Sequence, residues 1–509
     1  MNKRLKSVLC LMLVAAMLLT ACAGGNTNSS NGNSAEKDTL NYAISGEPST
    51  FDPHNISDNI AKQVFNQIFD RLIRQEADGT LTPGLAENWE LSEDGKSITF
   101  KIRKDVKFHN GETMTADDVV FSLNRAIQSK YLQEYVSMME EAEKIDDETV
   151  TLTTKYAYGP IEYCVAKIDI VNKAAVEADP EGFGRQPIGT GAYKFIELKS
   201  GDKIIAERFD DYYRGKAPIK NLVFKIITDS STAVVALENG EVDLLSQPAL
   251  ADRQNLINND KVLYYETELN GNNYIAFNNT EGMFNNQKLR EAISYAIDKE
   301  SMLLGAIEGA GVAVDNAIPR VSFGYSDKVK GNPYDPEKAK QLLAEAGYPD
   351  GFSIKLKTMD SATYYKPTEV LQDQLAQIGI TAEIEKMERG AYLSDVYSNA
   401  IYDMTVMSMV YEITDADAIY AFFHSDMIEN GQNFFRVNNP ELDKLLDAGR
   451  SSTDEAKRKE IYEKVGQLLN DEVVLIPLYS YMVGVAVNKD LKGVQASSIQ
   501  YYEVFSFSW

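Results

Sequence analysis

The chain has 509 residues, of which 44% are hydrophobic, 10% aromatic and 25% charged, a globular composition that excludes wholesale disorder and a polytopic membrane protein. Its 51 basic and 76 acidic residues give a formal net charge of −25, which repels phosphate backbones and argues against nucleic acid as a partner. The length exceeds what one hydrophobic core supports, so we predict two or three domains.

Residues 1–22 have the pattern of an export signal. Basic residues at the start precede a short apolar run from Val8 to Leu19. Positions 19–22, Leu-Thr-Ala-Cys, resemble the bacterial lipoprotein box. The resemblance implies cleavage before Cys22 and a diacylglycerol on its sulfur, which would anchor the protein at the outer face of the cytoplasmic membrane. Plain secretion with cleavage elsewhere is the alternative.

The segment that follows, residues 23–38, is dominated by Gly, Asn and Ser and has almost no large apolar residue. Such a composition cannot pack against a core, so we predict a flexible tether. Of the three cysteines, Cys10 leaves with the signal and Cys22 would carry lipid. Cys164 therefore has no partner for an intrachain disulfide, and we expect it to be a small buried residue.

From residue 40 onward the chain alternates strand-like and helix-like segments. Residues 40–44 predict a strand, and apolar residues at helical spacing predict a helix over residues 60–72. The same periodicity predicts a helix over residues 289–303. This alternation indicates α/β domains with mixed sheets.

Side chains mark the ends of two further helices. Thr115 is placed to cap a helix, and the two carboxylates that follow it lie in the first turn, where they favour the helix dipole. This acidic pair indicates a helix start rather than a catalytic dyad. Asp335 followed by Pro336 begins another helix, and Gly347 ends it.

Signals for catalysis or a cofactor are missing from the sequence. The three histidines, His54, His109 and His424, are far apart, and none belongs to an HExxH pattern or a Cys/His cluster. There is no Walker-type phosphate loop and no GxSxG motif. Residues 189–191, Gly-Thr-Gly, lead into a strand and indicate a turn rather than a phosphate cradle. We therefore predict no enzyme, no cofactor and no metal site.

Several segments carry a family pattern in a fixed order. The densest read PGLAENWE at positions 83–90 and TADDVVFS at positions 115–122. The others lie at residues 94–95, 100–103, 106–111, 187–193, 240–243, 289–298, 334–348 and 476–479. Together they resemble the family 5 extracellular solute-binding proteins, the peptide-binding components of ABC importers, over residues 40–509. Trp89 and His109 lie in these segments, and we expect both to be structural.

The resemblance implies an α/β periplasmic-binding-protein fold with mixed sheets. Two lobes would be joined by a hinge of two crossings, and one lobe would be extended by an added subdomain. The implied boundaries are 39–75, 186–270 and 480–509 for lobe I, 76–185 for the added subdomain, and 271–479 for lobe II, after the signal at 1–22 and the tether at 23–38.

In peptide-binding members of this family, an acidic residue after a short lobe II strand binds the α-ammonium of the ligand. The resemblance places Glu412 there, three residues before the Asp-Ala-Asp of positions 415–417, which matches the family's Asp-Pro-Asp. This chain has Glu in place of the usual Asp and Met409 in place of a Trp. A solvated loop acid is the alternative interpretation of Glu412. Asp415 is expected to hold the loop in place.

Further ligand contacts are implied on both lobes. Val410 would form main-chain hydrogen bonds to the ligand, with Tyr411 beside it. Ser45 and Gly46 would face the same ligand from lobe I. At the expected first hinge crossing, Tyr274 either faces the cleft or packs in the hinge.

The function that the resemblance implies is a lipid-anchored receptor that captures oligopeptides and delivers them to an ABC importer. Its partners would be the membrane permease subunits with their ATPases, and we expect a monomer. An oligosaccharide or a metal chelate is the alternative ligand, although the sequence has only two tryptophans and one nearby imidazole, His424. A lipoprotein hydrolase would need a nucleophile–base pair, which we do not find.

Overall fold

The computed structural model describes residues 37–56, 58–429 and 432–509. The predicted export signal, the predicted lipid site Cys22 and the tether as far as residue 36 lie outside the described residues. In the described part of the chain, no helix is both long and apolar enough to cross a bilayer.

Eighteen strands are described. In chain order they are β1 Thr39–Ile44, β2 Ile73–Gln75, β3 Leu81–Pro83, β4 Ala86–Leu91, β5 Ser97–Ile102, β6 Met139–Lys144, β7 Thr149–Thr154, β8 Tyr193–Lys199, β9 Lys203–Arg208, β10 Asn221–Ile226, β11 Leu244–Ser246, β12 Val262–Glu268, β13 Gly271–Phe277, β14 Gly311–Ala313, β15 Ser353–Met359, β16 Thr381–Met387, β17 Met404–Val410 and β18 Leu475–Asn488.

Helices alternate with the strands. The α-helices are Asn59–Ile68, Ala116–Ile127, Gln133–Val136, Ile161–Val165, Lys173–Ala178, Ser230–Glu238, Arg253–Ile257, Gln287–Ala296, Lys299–Ile307, Pro336–Glu345, Ala362–Gln377, Arg389–Tyr392, Tyr420–Phe423, Pro440–Ser451 and Glu455–Asp471. Short 3₁₀ turns lie at Leu250–Asp252, Met283–Asn285, Ala416–Ile419, Ser425–Met427 and Val504–Ser506, and a π-turn lies at Leu393–Ser398.

Strand β18 joins two halves of the main sheet, whose strand order is β16-β15-β17-β13-β18-β11-β1-β10-β9-β8. Its residues 482–488 pair with β12, whereas its first residues pair with β13 and β14. The chain also passes from β12 to β13 through residues 269 and 270. These are the two crossings that the hinge prediction requires. We call the half with β1 and β8–β12 lobe I, and the half with β13–β17 lobe II.

A separate four-stranded antiparallel sheet, β4-β5-β7-β6, lies within the first half of the chain. It has its own hydrophobic cluster, in which Phe100 and Leu152 of the sheet pack with Val119 of the helix Ala116–Ile127. We call this unit the inserted subdomain. Mixed α/β architecture with mixed sheets is therefore confirmed, while the exact domain boundaries stay a prediction.

Local signals predicted helix ends well. Thr115 and Asp118 form a capping box, in which each side chain accepts from the backbone N–H of the other. Asp335 caps the helix that starts at Pro336, and Gly347 follows its end with φ +98°. The strand predicted for residues 40–44 is also confirmed, as β1.

Two predicted helices were too long. The helix expected over residues 60–72 ends at Ile68, because Phe69 is extended and the chain turns towards β2. The helix expected over residues 289–303 is two helices. Ile297 is extended, and the Asp298 side chain accepts from the N–H groups of residues 300 and 301 to start the second helix.

The residues expected to be structural make contacts within the folded chain. His109 lies within hydrogen-bond distance of the Gly191 carbonyl (2.9 Å), and burial lowers its pKa to about 4. Trp89 donates to Glu162. Cys164 is fully buried, and burial raises its pKa to about 12, so it remains a thiol. Among the described residues, no group of three His, Cys, Asp or Glu side chains is placed to hold a metal ion.

Candidate ligand-binding site

Lobe I, the inserted subdomain and lobe II meet around one cavity, which we call the interlobe cavity. Its cavity volume is about 20 Å³. Its lining residues are Pro53, Ile56, Lys62, Phe65, Arg71, Leu132, Tyr135, Lys167, Asp169, Glu412 and Tyr501. Because all three parts contribute, the size of this cavity depends on how the lobes are placed.

Glu412 is the lobe II residue of this cavity. Its carboxylate accepts hydrogen bonds from the Lys62 ammonium of lobe I and from the Tyr135 hydroxyl of the inserted subdomain. Burial raises the pKa of Glu412, but the positive charges of Lys62 and Lys167 outweigh burial, so the pKa lies below its usual value. At neutral pH Glu412 is therefore an ionised carboxylate with an ammonium group already on it.

The loop that carries Glu412 is fastened to the first lobe crossing by Asn270. The Asn270 amide donates to the carbonyls of Tyr411 (2.7 Å) and Ile413 (3.1 Å), and the Tyr411 N–H donates to the Asn270 carbonyl (2.8 Å). The Asn270 N–H donates in turn to the carbonyl of Ser498 (3.0 Å), in the C-terminal segment. The backbone on both sides of Glu412 is thus fixed to the hinge.

Buried ion pairs hold the far end of the same loop. Asp415 is fully buried and accepts from two nitrogens of Arg458, at 2.9 and 2.6 Å. Asp417 is bound in a similar way by Arg450. These contacts agree with the expectation that Asp415 holds the loop rather than contacting a ligand.

The other lobe II residues expected at the ligand lie next to Glu412 with different exposure. Val410 is 53% exposed at the end of β17, opposite Gly271 of β13. Met409 and Tyr411 are buried in a lobe II core cluster, where the Tyr411 hydroxyl approaches the Met409 sulfur. Neither of the two buried side chains lines the interlobe cavity.

The structure does not bring the three remaining residues to this cavity. Tyr274 is fully buried in lobe II, and its hydroxyl donates to the Ala317 carbonyl (2.7 Å). Ser45 and Gly46 follow β1 at the surface of lobe I. A Cβ at Gly46 would come within 2.9 Å of the end of the Ile60 side chain, on the helix that carries Lys62. A ligand contact by these three residues stays a prediction.

Sequence reasoning missed Lys62, Tyr135, Lys167 and Tyr501. Lys62 and Glu412 are 350 positions apart and lie in different lobes. No spacing or periodicity relates such residues. The only available signal was the position of Lys62 on a helix that follows a strand end, which is common to many surface lysines.

Lys167 is the cavity's second lysine, and it is buried with 9% exposure. Its ammonium donates to the Gln75 side chain (2.7 Å). Burial lowers its pKa to about 7, helped by the charges of Arg71 and Lys62 and opposed by those of Glu412 and Glu134. The charge of the cavity wall therefore changes near neutral pH.

Comparison with known proteins found relatives over most of the chain. The bacterial extracellular solute-binding proteins, family 5 Middle, match residues 80–430. A Haemophilus influenzae relative named heme-binding protein A is 29% identical and spans 99% of both chains. The dipeptide-binding protein of Escherichia coli is also 29% identical, over 90% of this chain and 92% of its own length. The structure of HbpA2 from Haemophilus parasuis superposes with a TM-score of 0.84 at 27% identity, over 92% of this chain and 99% of that chain.

The fold is therefore that of a two-lobed solute-binding protein. The chain belongs to the family 5 bacterial extracellular solute-binding proteins. These proteins are substrate receptors of ABC transporters and are not enzymes, which confirms the expectation of a non-catalytic chain.

The Asp415–Arg458 pair predicts a large loss of stability when one partner is removed. Arg458→Leu leaves a buried carboxylate without a counter-charge, and we expect a loss of about 3–5 kcal/mol in the free energy of unfolding. Urea unfolding followed by circular dichroism measures it. The control is Lys328→Met, which removes an exposed lysine that is paired with Glu463 and should change stability by less than about 1 kcal/mol. Equal effects of the two variants would contradict a structural role for Asp415.

Lys167 predicts a pH-dependent stability. Its folded pKa of about 7 lies below that of the unfolded chain, so the unfolded state binds more protons between these two values and stability rises with pH there. Relative to Lys167→Met, the unmodified protein should gain roughly 2 kcal/mol between pH 7 and pH 9. Unfolding at both pH values measures the gain. Lys340→Met, at an exposed helix surface, controls for the loss of a lysine. A constant difference would contradict the prediction.

Proposed function

We propose that this protein is a lipid-anchored extracytoplasmic receptor that captures oligopeptides by closure of its two lobes and delivers them to an ABC importer. The observation that carries the proposal is the Glu412 carboxylate, which lies where three parts of the fold meet and already accepts an ammonium group. A peptide's free α-ammonium is the ligand group of matching charge. Lipid on Cys22 would keep the receptor close to permease subunits, whose ATPases supply the energy.

Closure supports peptide capture because it removes water from the cavity, which strengthens charge interactions and hydrogen bonds inside. A buried peptide backbone needs hydrogen-bond partners. Strand β15 pairs with β17 only at residues 404 and 405, so on that side none of the described strands covers residues 408–410. Val410 could add an extended ligand there by strand addition.

The charges of the cavity wall favour a zwitterionic ligand over a porphyrin or a sugar. Lys62, Arg71 and Lys167 face Glu412 and Asp169 in a small space. Burying such charged groups against the apolar face of a porphyrin would leave them poorly solvated. A peptide offers charges of both signs. The relatives named for dipeptide and heme binding show that either ligand is chemically possible within this family.

Lys62 sets a condition on peptide binding. Since its ammonium contacts Glu412 when the lobes are together, a ligand ammonium must replace Lys62 or share the carboxylate with it. Lys62 is thus a built-in competitor for the same anchor, and it reduces the advantage that a free amino terminus gives to a ligand.

Calorimetry with the purified full chain tests this proposal. The probes are a pooled tri- to hexapeptide mixture, the same peptides N-acetylated, and cello-oligosaccharides. We expect the free peptides to bind more tightly than the acetylated ones. Glu412→Gln should weaken the free peptides by more than about 1.5 kcal/mol, the lower range for a lost charged hydrogen bond, and should remove the difference. Unchanged affinity on acetylation rules out the Glu412 anchor, and binding of the oligosaccharides alone rules out the peptide ligand.

Lys62→Gln should change the preference for a free amino terminus in the direction opposite to Glu412→Gln. It is therefore a control for damage to the fold. Without its built-in partner, Glu412 needs the ligand ammonium more, so the ratio of acetylated to free-peptide dissociation constants should rise. A variant that merely disturbs the cavity would weaken both ligands and leave the ratio unchanged.

A further inference from the structure

A second chamber lies in lobe I beside the interlobe cavity. We call it the lobe I chamber; it is partly open to solvent, and its cavity volume is about 40 Å³. The two spaces share two wall residues, Arg71 and Tyr501. Its other walls come from residues 66–77 and from the C-terminal segment 497–503. The two spaces therefore adjoin at those two side chains.

Three polar atoms of the chamber wall are buried and have no hydrogen-bond partner. They are the amide nitrogen of Asn66, the Oδ2 oxygen of Asp70 and the hydroxyl of Ser497. Asp70 is 7% exposed and Ser497 is fully buried. An unpartnered buried polar atom costs about 1–3 kcal/mol, so a hydrogen-bonding group that reached these three atoms would be stabilised there.

The two arginines of the chamber wall are paired with carboxylates. Arg74 binds Glu503 through two nitrogens (3.1 and 2.6 Å) and approaches Glu76 (3.3 Å), while Arg71 binds Asp169 (2.9 Å). The Asp70 carboxyl has a pKa raised to about 7 by burial and by Glu503. The chamber therefore offers hydrogen bonds and little unbalanced charge, which disfavours a fully charged guest.

We propose that the lobe I chamber is a specificity subsite for an uncharged polar side chain of the ligand, one that both donates and accepts hydrogen bonds. A primary carboxamide fits: its NH₂ group can donate to Asp70 and Ser497, and its carbonyl can accept from Asn66. This inference rests on the proposed peptide function and adds a preference for glutamine or asparagine at one ligand position. Tyr501 and Arg71 lie between this ligand residue and the ligand residue bound at Glu412, and so position the first of them.

Tetrapeptides of alanine in which one residue is Gln, Glu or Leu, tested in turn at positions 2, 3 and 4, measure the preference with the full chain. At one position we expect Gln to bind about tenfold more tightly than Leu, because a site built for hydrogen bonds rejects a guest without them. Glu should bind less tightly than Gln there. No preference for Gln at any position overturns the inference.

Ser497→Ala links the preference to this chamber. It removes a hydroxyl that has no partner in the ligand-free protein, so the melting temperature should stay the same or rise. The preference for Gln over Leu should fall at least about threefold, with tetra-alanine binding unchanged. Thr190→Val is the matched control, since its hydroxyl is also buried and unpartnered but lies outside the chamber. A Gln preference that survives Ser497→Ala arises elsewhere and overturns the assignment of the subsite to this chamber.

The outcomes also separate this inference from the proposed function. If no peptide binds at any length, the peptide function fails and the subsite fails with it. If tetra-alanine binds and responds to Glu412→Gln, but Gln gives no gain, the receptor function stands and the subsite alone is wrong.

Discussion

A contact between the two lobes depends on one buried charge, the carboxylate of Glu412. Glu412 is a largely buried carboxylate, and a buried charge is tolerated only with a counter-charge and hydrogen bonds. Lys62 and Tyr135 supply both from outside lobe II. If the lobes separated, Glu412 would lose these partners and be hydrated instead. The relative position of the lobes is therefore coupled to the charged contacts of Glu412. A group that replaces Lys62 on Glu412 removes a contact between the lobes and so shifts their relative position.

Rigid support of Glu412 follows from the same constraint. An anchor for one end of a ligand must keep its position while the lobes move. Asn270 binds the backbone on both sides of Glu412 to the first crossing, and the Asp415–Arg458 pair fixes the end of the loop that follows Glu412. Because Asn270 also accepts from Ser322 through its side chain (2.7 Å), its amide orientation is determined. The loop is thus held by lobe II and the hinge. Besides Lys62 and Tyr135, Gln75 contacts it from outside lobe II, by donating to Thr414 (2.6 Å).

The sequence predicted the features that are determined by residues close together in the chain. Thr115 and Asp335 mark helix starts because a cap acts within one turn. The break at Asp298 was missed since apolar periodicity continues through Ile293 and Ile297, and periodicity cannot show that a polar side chain ends one helix and begins another. Glu412 was reached through family resemblance alone. Lys62 could not be found at all, because its pairing with Glu412 exists only after both lobes have folded and met.

The interlobe cavity and the lobe I chamber, which meet at Arg71, differ in their electrostatics and would therefore recognise different parts of a ligand. In the interlobe cavity the Lys62–Glu412 pair joins the two lobes, and a ligand end that carries charge can take the place of one partner. In the lobe I chamber the charges are already paired, and unpartnered neutral donors and acceptors remain. Arg71 stands between them with its guanidinium bound both to Asp169 and to Asn66 (2.7 Å). A ligand that filled both spaces would be selected by charge at its end and by hydrogen-bond pattern further along, so orientation and side-chain preference would be set independently.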